Sequence, residues 1–126
     1  MLRAPIASEV VVMLVGHHEI LKSQLRNQGF CVLTASTGEE ALDLSRQFVD
    51  TMALITDMDI GSIGAVELYS QIRKQRPQTQ VLFISSQTDR LPEPPPGAEI
   101  LEAPFRMADF LDKLQVVLPG SVHLRN

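Results

Sequence analysis

The sequence contains few of the residues that would place it among disulfide-stabilised or nucleic-acid-binding proteins. Cys31 is its single cysteine, so no disulfide can form within the chain, and this usage is typical of a reducing compartment. Its 11 basic side chains are outnumbered by 15 acidic ones, and the formal net charge is -4. A nucleic-acid-binding domain usually carries a basic patch, so this charge argues against nucleic acid as a partner.

Long hydrophobic runs are also missing. No apolar stretch approaches the ~20 residues that a membrane-spanning helix needs. Residues 1–9 contain Arg3, but Pro5 and Glu9 interrupt them and they include no apolar central segment, unlike a secretory signal peptide. We therefore expect a soluble, cytoplasmic protein without a membrane partner.

The length and the hydrophobic content indicate one globular domain. A chain of 126 residues lies within the usual range for one domain, and 44% hydrophobic residues are enough to form a core. We divide the chain into a flexible leader (1–9), one folded domain (10–118) and a tail that frays (119–126).

Short apolar runs alternate with amphipathic segments along the folded part. The runs have the length of buried strands, and the segments between them repeat apolar residues at helical spacing. This alternation predicts a parallel sheet covered on both faces, with right-handed crossovers. We expect Ile20 to face the core from the first helix and Cys31 to be buried in the second strand. The predicted strands are 10–15, 30–34, 53–56, 81–85 and 99–101, and the predicted helices are 19–28, 37–49, 65–75 and 107–118.

A proline-rich segment interrupts the alternation between the fourth and fifth strands. Residues 91–97 include four prolines, which lack the amide N–H and clash with a preceding helical turn. We expect an extended loop where a regular alternation would place a helix. The run Pro92-Glu93-Pro94-Pro95 also loosely matches ligands of aromatic-lined grooves, but a stiff connector is the simpler interpretation.

Polar side chains follow two of the apolar runs. Asp57 closes the third run, and the sites of open parallel sheets lie beyond the carboxyl ends of their strands. His17 and His18 follow the first run, and with Asp57 and Asp59 they could form a transition-metal site. Adjacent residues of a turn rarely point at one ion, and no further ligand at a usual spacing is present. We therefore favour surface histidines.

These features together resemble the receiver domain of bacterial response regulators, over residues 10–118. The resemblance rests on Asp57, the glycine-containing loop after it, Ser85 at the end of strand four, and Pro104-Phe105 after strand five. It implies a flavodoxin-like, doubly wound, five-stranded parallel sheet of order 2-1-3-4-5. In this chain we expect the fourth helix of that fold to be shortened or replaced by the proline-rich loop. It also implies phosphotransfer from a histidine kinase, with Asp57 as the phospho-acceptor and Ser85 as the switch hydroxyl.

Four family positions carry other residues in this chain. Receivers place two acidic residues after strand one, where they help to hold Mg²⁺. Aligning Glu19-Ile20-Leu21 with the start of the family's first helix puts Val15 and Gly16 at these two positions. The family's lysine before the Pro-Phe pair corresponds to Ala103, and its aromatic switch residue corresponds to Ile100. Because Mg²⁺ usually relies on one or two carboxylates, we expect weak or absent Mg²⁺ binding and no other cofactor.

Two interpretations of Asp57 remain open: a phospho-acceptor with weakened chemistry, or a strand-end carboxylate left without that role. In either case we expect a receiver-like signalling domain that acts through protein contacts, with a histidine kinase or another signalling protein as its partner. Homodimerisation through the last helix is left open. The alternative is a small flavodoxin-like enzyme or cofactor-binding protein. No glycine-rich phosphate loop, Gly-x-Ser-x-Gly elbow or Cys–His pair supports it.

Overall fold

Five parallel strands form one sheet in the order β2-β1-β3-β4-β5, as the resemblance implied. The computed structural model describes residues 10–48, 50–86, 95, 97–120 and 122–124. The strands are β1 (Val11–Val15), β2 (Cys31–Ala35), β3 (Thr51–Asp57), β4 (Gln80–Ser85) and β5 (Glu99–Glu102). The described helices are α1 (Glu19–Asn27), α2 (Gly38–Gln47), α3 (Ala65–Gln75) and α4 (Met107–Val117).

The helices cover the sheet on both faces. One layer joins α1 and α4 to the sheet, with Leu21, Leu25, Phe110 and Leu114 in its core. The other joins α2 and α3, with Tyr69 at its centre, edge-on to a phenylalanine of β4. Every residue of β1 is buried, because successive side chains alternate between the two layers. The short but uninterrupted apolar runs of the sequence follow from this two-sided burial.

Local sequence signals fix where the helices begin and end. Gly29 follows α1 with φ of 90°, a left-handed conformation that a residue without Cβ adopts freely. Thr37 precedes α2, and its hydroxyl accepts a hydrogen bond of 3.2 Å from the backbone N–H of Glu40. This hydrogen bond satisfies one of the backbone N–H groups that have no partner inside the first turn of the helix.

Parallel pairing brings the carboxyl ends of the strands to one edge of the sheet. Val15 of β1 lies opposite Thr56 of β3, and Asp57 lies opposite Ile84 of β4. The turn after β1 is therefore next to the turn after β3. We call this the carboxyl edge, and the candidate site lies on it.

Three expectations about burial are wrong. Cys31 is exposed, because β2 is an edge strand with a neighbour on one side only. Ile20 is 71% exposed, since it is adjacent to Leu21, and successive helical residues face different directions. The tail, which we expected to fray, packs on the domain at Val122, which is buried and whose carbonyl oxygen accepts a 2.6 Å hydrogen bond from Gln115 Nε2.

Two other predictions concern parts of the chain that are only partly described. The leader, residues 1–9, lies outside the described residues, and so does most of the predicted proline-rich loop (91–94 and 96). Between β4 and β5, the residues that are described form no helix. In the described ranges, no helix is both long enough and apolar enough to span a membrane.

Candidate functional site

Asp57 lies at the carboxyl edge, as the last residue of β3. Its backbone pairs with β4, and the next amide, that of Met58, donates a 3.2 Å hydrogen bond to the carbonyl oxygen of Ile84. This pairing fixes the direction of the Asp57 side chain, which is 32% exposed. The carboxylate is therefore only partly exposed to solvent at the end of a strand that is paired with its neighbours.

His18 contacts Asp57 directly. The distance from His18 Nε2 to Asp57 Oδ1 is 2.5 Å, and the imidazole is 23% exposed. An N–H that donates to a carboxylate forms one of the stronger hydrogen bonds in proteins. His18 is also the residue before α1, and its carbonyl oxygen accepts the backbone N–H of Lys22 at 2.9 Å. Its side chain does not cap α1, so the imidazole is free to point at the neighbouring strand end.

Gly16 provides the space for the Asp57 carboxylate. It follows β1 with φ of 120°, and its amide donates a 2.9 Å hydrogen bond to the carbonyl oxygen of Ala35. A Cβ at this position would overlap Asp57 Oδ2 and would lie 3.0 Å from Asp57 Cγ and 3.3 Å from His18 Cδ2. The present arrangement of Asp57 and His18 therefore requires a residue without a side chain at position 16.

A pocket at the carboxyl edge brings together several of the predicted site residues. Ser85 is 2% exposed and lies at the end of β4, where its carbonyl oxygen accepts the backbone N–H of Ala103 at 2.8 Å. The structure thus places Asp57, Ser85 and Ala103 at one pocket, together with His18. The pocket is lined by His18, Asp57, Met58, Asp59, Ile84, Ser85, Ser86 and Ala103.

The other predicted positions lie away from this pocket. Val15 is fully buried in the layer of α2 and α3, and Ile100 packs against the same layer. Pro104 follows Ala103 through a cis peptide bond. Phe105 packs on the opposite layer, where its ring stacks on Phe110 with centroids 6.4 Å apart. These four residues shape the surroundings of the site and do not line it.

The loop after β3 is held to α2 by two contacts. The hydroxyl of Ser62 donates to the carboxylate of Glu39, and the amide of Gly38 donates a 3.0 Å hydrogen bond to the carbonyl oxygen of Ile60. The Ser62 hydroxyl, with further hydrogen bonds, lowers the pKa of Glu39 from its ordinary value of 4.5. The segment that follows Asp57 is therefore attached to a helix as well as to the sheet.

The histidine interpretation needs a correction. His17 is exposed, as expected for a surface histidine of a turn, but His18 is half-buried and bonded to Asp57. The strand order implied by the family resemblance placed β1 beside β3, and this was the available signal, because the residues after two adjacent parallel strands share an edge. It did not show which of the two adjacent imidazoles points toward Asp57.

Fold and site define a doubly wound α/β protein of flavodoxin-like topology, with a carboxylate at the end of its third strand. The sequence model of the response regulator receiver domain matches residues 15–113. The chain therefore belongs to the response regulator receiver domain family. The predicted family and the predicted sheet order are both confirmed.

Solved receiver structures have the same fold. Chemotaxis protein CheY4 of Vibrio cholerae is 25% identical and superposes with a TM-score of 0.72, covering 86% of this chain and 98% of its own. The signal receiver domain of an HD domain-containing protein from Pseudomonas fluorescens Pf-5 is 16% identical, with a TM-score of 0.75 and coverage of 89% and 96%. A chain of the CheX–CheY–BeF3–Mg²⁺ complex of Borrelia burgdorferi is 18% identical, with a TM-score of 0.70 and coverage of 86% and 89%. No curated protein matches the chain.

The residues at the carboxyl edge do not fit the Mg²⁺ site that the family implies. Mg²⁺ requires near-octahedral oxygen coordination and usually takes one or two carboxylates. Val15 and Gly16 offer no side-chain oxygen, and the Oδ1 of Asp57 already contacts an imidazole nitrogen. Among the described residues, no group of three or more His, Cys, Asp or Glu side chains could hold a metal ion. Weak or absent Mg²⁺ binding in solution stays a prediction.

Proposed function

We propose that this chain is a cytoplasmic receiver domain of a two-component or phosphorelay system that signals through protein–protein contact, with weak or absent Mg²⁺-dependent phosphorylation of Asp57. One observation carries the proposal. The Asp57 carboxylate, at the family's acceptor position, contacts His18. Gly16, which leaves room for this carboxylate, lies where the family has an acidic residue. Family membership supports the signalling role, and the local geometry supports the departure from phosphotransfer.

The chemistry of phosphoryl transfer supports weak acceptor activity. Such a transfer depends on positioning and on neutralising charge that spreads over the oxygens of the phosphoryl group. Removing one charge-stabilising group typically lowers the rate by about 10²–10³. Here Val15 and Gly16 replace the acidic pair, and Ala103 replaces the lysine. An approaching phosphoryl group would also compete with His18 for Asp57 Oδ1.

The proposed partners are a histidine kinase or another signalling protein, and they would dock on the surfaces of α1 and α4. A groove between these helices is lined by the turn after β1 and by Phe105 and Met107. Ile20 of α1 also lines this groove, and it is 71% exposed. In the Borrelia burgdorferi complex, a receiver of the same fold is bound to CheX.

Incubation with acetyl phosphate and Mg²⁺, followed by intact mass measurement, tests the proposal. We expect no stable adduct of about 80 Da, the mass that one phosphoryl group adds. An adduct that forms on the wild-type chain and is absent from Asp57→Asn would contradict the proposal. No observation in the described part of the chain favours the alternative of a small enzyme.

A further inference from the structure

We propose that His18 is a positioning residue. Its imidazole fixes the orientation of the Asp57 carboxylate and blocks the approach of reagents to it. The imidazole would then act as a built-in partner of the carboxylate, at the place where the family binds a divalent cation. The inference rests on the proposed function, because it names the residue that makes Asp57 a poor acceptor. It concerns this chain's own geometry and can be tested without a phosphoryl donor.

The two side chains come from elements that the fold fixes independently. Asp57 ends a strand that is paired on both sides, and His18 follows β1 by a turn that Gly16 shapes. They are 39 residues apart in sequence, so their contact depends on the adjacency of β1 and β3 and not on local chain geometry. A contact between two such anchored groups loses less conformational entropy than one between two mobile surface chains.

The chemistry of the pair favours a persistent contact. With the proton on Nε2, the imidazole donates to Oδ1, and the other ring nitrogen is left to accept. Both side chains are partly shielded from water, at 23% and 32% exposure, so the hydrogen bond is screened less than an exposed one. His18 also lines the pocket that Asp57 lines, and a reagent that approaches Oδ1 through this pocket meets the imidazole.

Gly16 makes this arrangement incompatible with the family's acidic residue at the same position. Any Cβ there would overlap Asp57 Oδ2. The overlap can be relieved if the carboxylate rotates, because Oδ2 is the end of a flexible side chain, but such a rotation displaces Oδ1 from His18. A side chain at position 16 and the present contact between His18 and Asp57 therefore exclude each other.

Carboxylate footprinting tests the proposal directly. A water-soluble carbodiimide with glycine ethyl ester labels accessible carboxylates, and peptide mass spectrometry reports the labelling rate of Asp57 relative to that of Asp59. Asp59 is exposed on the same loop and serves as the internal reference. We expect His18→Ala to raise this ratio about tenfold, the change that loss of one charge-assisted hydrogen bond produces. His18→Gln, whose side-chain amide can still donate to Asp57, should restore a ratio close to that of the wild type.

His17→Ala is the matched control, because it removes the adjacent, exposed imidazole. It should leave the ratio unchanged. An Asp57 rate that is the same in wild type and His18→Ala overturns the proposal. So does a rise that Asp59 shares, since the variant would then have loosened the whole edge. Failure of a His18→Gln rescue also counts against a positioning hydrogen bond.

The footprinting and acetyl phosphate experiments can fail separately. In one outcome the wild-type chain is phosphorylated, and His18→Ala raises the labelling rate of Asp57 relative to Asp59. This outcome would contradict the proposed function and leave the positioning role of His18 intact. No phosphorylation, with an unchanged ratio, would leave the proposed function intact and assign the inactivity to the missing acidic pair alone.

Discussion

At the scale of single residues, the site depends on the absence of one side chain and the presence of another. Gly16 allows the chain to turn with a positive φ and leaves room for the Asp57 carboxylate, and His18 then contacts that carboxylate. The residue pattern had identified Asp57 as a candidate site residue and the family resemblance had added Ser85, and the structure places both at one pocket. The contribution of His18 could not be predicted, because periodicity locates strands and helices along the chain and does not report the direction of a side chain in a turn.

We expect Gly16→Ala to destabilise the fold by about 1–3 kcal/mol, because a β-carbon is strained at a φ of 120° and overlaps Asp57 Oδ2. Urea unfolding followed by circular dichroism measures the change. Gly120→Ala is the matched control, since an added Cβ there meets no atom within 4 Å. It should change the free energy of unfolding by no more than about 0.5 kcal/mol. Equal effects of the two substitutions would refute the steric role of Gly16.

At the scale of elements, the sequence predicted every described helix and strand to within a few residues at its ends. The elements were predictable because apolar residues recur at different spacings in helices and in strands, and this spacing is a local property of the sequence. Exposure was harder to predict. Ile20 and Cys31 are apolar or small residues in predicted elements, yet neighbouring elements do not cover them. Which face of an element is covered depends on tertiary packing, and a one-dimensional pattern reports it only on average.

The contact between the loop after β3 and α2 should be measurable through the pKa of Glu39. Because the Ser62 hydroxyl is the largest cause that lowers the pKa of Glu39, Ser62→Ala should raise that pKa toward 4.5. NMR titration of the carboxyl carbon measures it. The sign follows from linkage: a pKa lowered by folding gives stabilisation that is present above the unfolded pKa and is lost as the pH falls through the folded value. An unchanged pKa in Ser62→Ala would show that the hydroxyl does not bind this carboxylate in solution.

At the scale of the whole molecule, alternation of strands and helices was enough to predict a doubly wound sheet, and the family resemblance supplied the order 2-1-3-4-5 that the structure shows. The reason is physical: strands buried on both faces give continuous apolar runs that differ clearly from amphipathic helices. The chain near Val122 was mispredicted because its burial depends on contacts with α4 that no local signal encodes.

The layer formed by α1 and α4 should depend strongly on its central aromatic residue. Phe110 is fully buried, so Phe110→Ala should lower the free energy of unfolding by about 3–5 kcal/mol through lost burial and a remaining cavity. Val116→Ala, on the same helix but 64% exposed, should change it by less than about 0.5 kcal/mol. Urea denaturation measures the free energy of unfolding of both variants. A small effect of Phe110→Ala would mean that α4 contributes little to the core.

The central proposal is that an imidazole, and not a divalent cation, accompanies the Asp57 carboxylate of this receiver domain. Titration of the ¹⁵N-labelled chain with MgCl₂, followed through the backbone amides of Gly16, His18, Asp57 and Asp59, tests it most directly. The account predicts no saturable change at these four amides. A saturable shift confined to them, and lost in Asp57→Asn, would show that Mg²⁺ binds at the carboxyl edge and would contradict the claim.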